Sequence, residues 1–216
     1  KILIDNGFSK PIKVCGLGVE HIGLDNESFY PLAAKTFKFL HVSSCFPRKG
    51  VEILIAAYNK LFSNTDDVSL IIKSFPNPHN NIPSLLDQYR MKYDNFPDVV
   101  YIDSDLHKDE LTSLYKQCNV LIAPSFGEGF GLPIAEAMLL KVPIITTGWG
   151  GQTDFCSEEN SWLIDYEFQY SKSHFGLTSS VWAKPLLDDL VRLMSELYRM
   201  SPDNIREKTS KAFHII

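Results

Sequence analysis

Five short aliphatic and β-branched runs recur along this chain with helix-like segments between them. No other feature limits its possible folds so strongly. The runs are residues 37–43 (FKFLHVS), 68–73 (VSLIIK), 99–103 (VVYID), 119–123 (NVLIA) and 142–146 (VPIIT). They are nearly continuous in apolar character, with little polar alternation, and such strands are buried on both faces. Segments with helical spacing lie between them: Ile53, Leu54, Ala57 and Leu61 form one stripe, and Leu111, Leu114 and Tyr115 part of another. The pattern predicts an α/β fold with a doubly wound, Rossmann-like parallel sheet. Composition agrees with a packed domain, since 44% of the 216 residues are hydrophobic and 22% charged.

A net charge of -5, from 21 Lys+Arg against 26 Asp+Glu, argues against nucleic acid or an anionic membrane as the main partner. No apolar run approaches the ~20 residues that span a bilayer. The chain begins at Lys1 and shows nothing like a signal peptide, so it reads as a piece of something longer. Cys15, Cys45, Cys118 and Cys156 form no C-x-x-C pair. Reduced thiols in a cytoplasmic protein are expected, rather than zinc or a disulfide framework.

In an open parallel sheet, ligands bind at the carboxyl ends of the strands. Five loops there draw notice: residues 43–50, 74–80, 103–109, 124–131 and the Gly-rich 147–153. Residues 123–145 (APSFGEGFGLPIAEAMLLKVPII) carry the most chemistry. A strand ends, three glycines allow close backbone approach, and Pro133 opens a helix whose first amides suit an anion. Glu128 and Glu136 can both address one bound molecule, because a carboxylate accepts two hydroxyl hydrogen bonds from a sugar diol. A structural reading stands beside that one: the glycines shape a tight turn, and each carboxylate caps a helix or meets solvent.

The segment EGFGLPIAE resembles the Glu-x7-Glu signature of family 4 glycosyltransferases, retaining enzymes of the GT-B fold. Three further stretches, EAMLLKVPIITTGWGG, FLHVSSCFPRKGVEILIAAY and VVYIDSDLHKDELTSLYKQCNVLIAPS, are similar to other blocks of that family in the right order, covering residues 37–163. The resemblance implies the C-terminal half of a GT-B fold. Residues 1–36 would be an inter-domain segment with the first strand or strands, and residues 37–216 the nucleotide-sugar-binding domain with C-terminal helices. It implies a hexose transferred from GDP-mannose or a UDP-sugar, with a lean to GDP-mannose, onto a carbohydrate or lipid-linked hydroxyl. The alternative is a non-catalytic nucleotide-sugar-binding module of a larger protein. An acceptor-binding domain would precede Lys1, and the chain alone would be inactive in transfer.

The same resemblance assigns residues. Glu128 would face the transferred sugar as the catalytic carboxylate, and Glu136 would bind the ribose. The amides of Gly129, Phe130, Gly131 and Leu132 would meet the sugar and diphosphate, and Lys49 would neutralise the diphosphate. A turn around Tyr101 and Ile102 would lie against the nucleobase. Relatives carry an Arg where this chain has Ser43 or Ser44, so Arg48 and Ser44 are the candidates to fill that place. Neither a metal nor another cofactor is implied, since a cation and a helix dipole can meet the departing charge.

Smaller features have plainer readings. Asp103-Ser104-Asp105 is expected in a turn and helix cap rather than on a metal, and Asp154 as a cap of a following short helix. Trp149 stacks on sugar or packs its loop. His174 lies in a stretch, residues 166–184, expected to be a long loop over the site. Residues 12–15 are a strand candidate. Leu186, Leu187, Leu190, Leu193 and Leu197 are expected to form a core stripe of a closing helix.

Overall fold

The computed structural model describes residues 2–13, 16–19, 21–23, 28–171 and 179–216. Six strands form one parallel sheet: β1 (Phe37–Val42), β2 (Val68–Lys73), β3 (Asp98–Ile102), β4 (Val120–Ala123), β5 (Ile144–Thr147) and β6 (Trp162–Ile164), in the order β3-β2-β1-β4-β5-β6. The chain runs outward from β1 to β3, then crosses back to place β4 on the other side of β1. That reversal opens a crevice at the carboxyl ends of β1 and β4, the ligand position in such sheets. The doubly wound reading holds, and all five expected strands are present. The sixth, β6, is three residues long, too short for an apolar run to reveal it.

Successive strand residues feed two separate cores. Phe39, Leu70, Ile72, Val120, Ile122 and Ile145 face one side. There α2 (Val51–Leu61), α3 (Ile82–Lys92) and α6 (Leu187–Arg199) cover them. Leu40, Ile71, Leu121 and Ile144 face the other side. Residues of α4 (Lys108–Lys116), α5 (Leu132–Leu139) and α7 (Pro202–Phe213) pack there. Because both faces are dry, neither parity of strand position tolerates solvent, which explains the missing polar alternation. The remaining helix, α1 (Ile2–Asp5), is a single turn.

Four expectations are corrected. Residues 166–184 are not a plain loop: β7 (Tyr166–Tyr170) and β8 (Val181–Pro185) pair antiparallel. The alternation Tyr-Glu-Phe-Gln-Tyr is the period-2 signal of a half-exposed strand. Residues 12 and 13 lie outside any strand, while Cys15, like His174, falls outside the described residues. Leu186 precedes α6 and is exposed, whereas Leu190, Leu193 and Leu197 are buried. Asp154 ends a 3-10 turn (Gly151–Asp154) and is exposed, with no helix following it before β6.

Candidate functional site

The loops after β1, β4 and β5 are drawn together by backbone contacts that only glycine permits. Gly50 has φ +71°, and a Cβ on it would fall 2.0 Å from the Pro124 carbonyl oxygen. A Cβ on Gly151 would fall 1.9 Å from the Gly129 carbonyl oxygen. Hydrogen bonds fasten the same seams: the Phe126 amide donates to the Arg48 carbonyl at 2.8 Å, and the Gly151 amide to the Glu128 carbonyl at 2.9 Å. The loop after β1 is held from below by His41, buried within that strand. Its Nδ1 lies 2.8 Å from the Ile122 carbonyl, which can only accept, so Nδ1 carries the proton. Nε2 therefore accepts from the Ser43 hydroxyl at 2.7 Å. Burial pushes this imidazole down to about 4, so it is neutral at pH 7.

On this frame Glu128 and the expected cations meet. Lys49 Nζ donates to Glu128 Oε1 at 2.6 Å, Ser125 Oγ donates to the same oxygen at 2.7 Å, and Arg48 Nη1 lies 3.5 Å from Oε2. Arg48 also donates to the Gly127 carbonyl at 3.0 Å, so it points toward the loop after β4. Beside these residues α5 opens at Gly131, which has no side chain to cap the first turn. Pro133 has no N–H, and the Ile134 and Ala135 amides donate to the Gly131 carbonyl at 2.8 and 3.2 Å, so of the first turn only the Leu132 amide is left for a ligand by these backbone bonds.

A cavity of about 380 Å³ occupies the crevice. Ser44, Arg48 and Lys49 line it, together with Lys73, Ser74 and Asp105 at or beyond neighbouring strand ends and Pro133 in the first turn of α5. The remaining expected residues stand around rather than on its wall. Tyr101 and Ile102 end β3 instead of forming a turn; the Tyr101 hydroxyl receives Asn80 Nδ2, and the Ile102 carbonyl receives the Ser74 amide. Phe130 packs on Phe155, and Trp149 packs edge-on against Phe168.

Glu136 lies on α5, only 5% exposed. Its Oε2 accepts the Tyr115 hydroxyl at 2.7 Å and its Oε1 receives His21 Nε2 at 2.7 Å. Burial and the adjacent carboxylate raise the Tyr115 phenol well above its ordinary value, so it stays a donor. Sequence reasoning missed His21, Tyr115, Ser125, His41 and Lys73. Two of these left a trace, since a His lies within β1 and a Lys ends β2, both strands at the centre of a buried sheet.

A larger cavity, about 520 Å³, is built by β6, α6 and α7 and shares no residue with these loops. Among the described residues, no group of three or more His, Cys, Asp or Glu is placed to hold a metal, and no helix is long and apolar enough to cross a membrane. Cys118 and Cys156 are buried, and burial pushes both thiols up to about 12.

Comparison with known proteins places this geometry. A sequence model described as Glycosyl transferases group 1 matches residues 36–169. The chain is 31% identical over 143 residues to the capsular polysaccharide biosynthesis glycosyltransferase CapM of Staphylococcus aureus, covering 64% of this chain and 36% of that protein. It is 30% identical over 138 residues to the MMP alpha-(1->4)-mannosyltransferase of Mycolicibacterium hassiacum, covering 62% and 32%. The chain thus matches about a third of the length of these relatives. Among solved structures, the C-terminal domain of the group 1 protein LpcC from Francisella tularensis superposes with a TM-score of 0.65 at 17% identity, covering 89% of this chain and 96% of that one. Anabaena HepE, in complex with UDP-glucose, gives 0.61 at 20% identity, with 83% and 43% covered.

Proposed function

Since this chain belongs to the group 1 glycosyltransferases, we propose that it is the donor-binding half of a retaining hexosyltransferase that uses a nucleoside-diphosphate sugar. The observation that supports this most is the meeting of Lys49, Arg48 and Glu128, beside the start of α5, at the carboxyl ends of β1 and β4. The relatives named above include a mannosyltransferase, and one structural neighbour holds UDP-glucose. GDP-mannose or a UDP-sugar is the donor on this reading, with the lean toward GDP-mannose. The acceptor is a carbohydrate or lipid-linked hydroxyl, held by an N-terminal domain across the cleft. The cytoplasm, where such donors are made, is the proposed location.

Glycosyl transfer leaves negative charge on the departing diphosphate. Lys49, Arg48 and the first turn of α5 can meet it in a partly dry crevice, where fixed charges count for more than in water. No metal or other cofactor is needed on this reading. The Glu128 ion pair holds the Lys49 ammonium at the crevice, where a diphosphate can meet it. Glu128 then faces the sugar, and Glu136 offers its carboxylate to the ribose hydroxyls. The acceptor hydroxyl reacts on the face of the leaving diphosphate, whose oxygen takes its proton, and configuration is kept.

Thermal unfolding of the chain with GDP, UDP and ADP, in EDTA and in Mg²⁺, tests the reading. One nucleotide at about 100 times its Kd should add roughly 2.7 kcal/mol in both solutions. Lys49→Met should remove that gain. Absence of any shift with all three nucleotides would overturn the donor-domain reading. A shift without transfer by the full-length protein would leave a binding module instead.

A further inference from the structure

Three cations line the crevice cavity, Arg48, Lys49 and Lys73, and they differ in what neutralises them. Lys49 and Arg48 stand 2.6 and 3.5 Å from Glu128. Lys73 is only 8% exposed and, among the described residues, forms no ion pair. Its ammonium has three donors, and among the described residues it donates to the Ser74 carbonyl alone. A carbonyl dipole does not cancel a charge, and a buried cation without a counter-ion is costly. Burial pulls the Lys73 pKa below the ordinary lysine value, and Asp105, also on the cavity wall, and Asp103 only partly offset that by favouring the charged form at longer range.

Register puts this charge beside the phosphate-facing loop. Lys73 ends β2 opposite Val42 at the end of β1, and its carbonyl receives the Ser43 amide at 3.1 Å. Lys73 therefore lines the cavity together with Ser43, Ser44, Arg48 and Lys49 of that loop and Asp105 beyond the end of β3. We propose that Lys73 is a further donor-site residue, whose ammonium binds the diphosphate of the nucleotide sugar alongside Lys49. This rests on the donor-binding reading and extends it to a side chain on a different strand. Bound phosphate would supply a counter-charge at contact distance, which Asp105 and Asp103 provide only at longer range.

The test compares affinities of wild type, Lys73→Gln and Lys73→Arg for GDP, UDP and ADP and for guanosine, uridine and adenosine, by calorimetry. Glutamine keeps a donor to Ser74 and loses the charge. Lys73→Gln should weaken the diphosphate that wild type prefers by about ten- to a hundredfold, the scale of one charge-assisted hydrogen bond. It should leave the parent nucleoside unchanged, and Lys73→Arg should recover most of the loss. Equal losses for nucleoside and diphosphate, or no loss, would overturn the proposal while leaving the donor-binding reading intact. Failure of wild type to bind any of the six would overturn both. If the variants do not fold, a crystal structure of wild type with its diphosphate decides: Nζ further than about 4 Å from every phosphate oxygen sinks the assignment.

Discussion

Replacing Glu136 with alanine should separate the structural role of this carboxylate from its proposed role in binding. Its Oε2 is the short-range partner of the Tyr115 hydroxyl, at 2.7 Å; the other contact of that hydroxyl is the Pro133 carbonyl at 3.4 Å. Tyr115 is fully buried, so water cannot replace the lost acceptor. Stranding a buried hydroxyl costs about 1–3 kcal/mol. The His21 contact, on a half-exposed ring, adds little beyond that. A loss of about 1–3 kcal/mol corresponds to roughly 2–12 °C in melting temperature for a domain of this size. Glu136→Gln keeps a carbonyl oxygen for Tyr115 and should cost less than about 1 kcal/mol.

The decisive variant is the double one. If the alanine variant suffers from a stranded hydroxyl, adding Tyr115→Phe removes that hydroxyl and should recover stability. Differential scanning calorimetry of the four proteins closes the cycle. A double variant no more stable than Glu136→Ala would refute the reasoning. For binding, Glu136→Gln is the cleaner probe, because its shape is kept. Nucleotide affinity should fall roughly tenfold as charge-assisted acceptance from the ribose is lost. Unchanged affinity would remove the ribose role.

Three further outcomes are expected. Gly151→Ala drives a Cβ into the Gly129 carbonyl and should lower both melting temperature and nucleotide binding; a variant normal in both would show that the loops do not depend on this contact. In the full-length enzyme, Glu128→Ala should lower kcat by roughly a hundredfold or more with circular dichroism unchanged, and near-normal turnover would rule out its place at the reacting centre. His41 titrates at about 4 when folded, against 6.5 in an ordinary environment. The unfolded chain then binds more protons between those values, so stability rises with pH across the window and is lost as pH falls from 6.5 towards 4. Urea unfolding at pH 7 and pH 5 should differ by about 2 kcal/mol from this group, and His41→Asn should flatten that difference.

Much of the fold and part of the site were legible because their signals are local. Apolar continuity marks a strand covered on both faces, and it located five of the six parallel strands within one or two residues of their observed ends. Gly and Pro around residues 124–133 marked a tight turn into a helix, so the loop carrying Glu128 and the helix carrying Glu136 could be placed before any contact was known. The pair β7 and β8 was missed although its alternation was present. A half-exposed hairpin carries fewer apolar residues than a central strand, and residues 172–178 between its strands gave no turn signal that was read.

The sheet, the ends of the strands where chemistry gathers, and the residue types held there can therefore be read from the chain alone. Tertiary structure alone decided which of those residues meet. Lys49 finds Glu128 across 79 positions, and His21 finds Glu136 across 115. Arg48 turns toward Gly127, and Lys73 joins the cavity because β2 is in register with β1. The physical reason is one of range. Backbone preferences and burial act over a few residues and leave a pattern in the chain. The direction of a side chain at a loop is set by which other loop packs against it, and here that was fixed by two glycine contacts between segments remote in sequence.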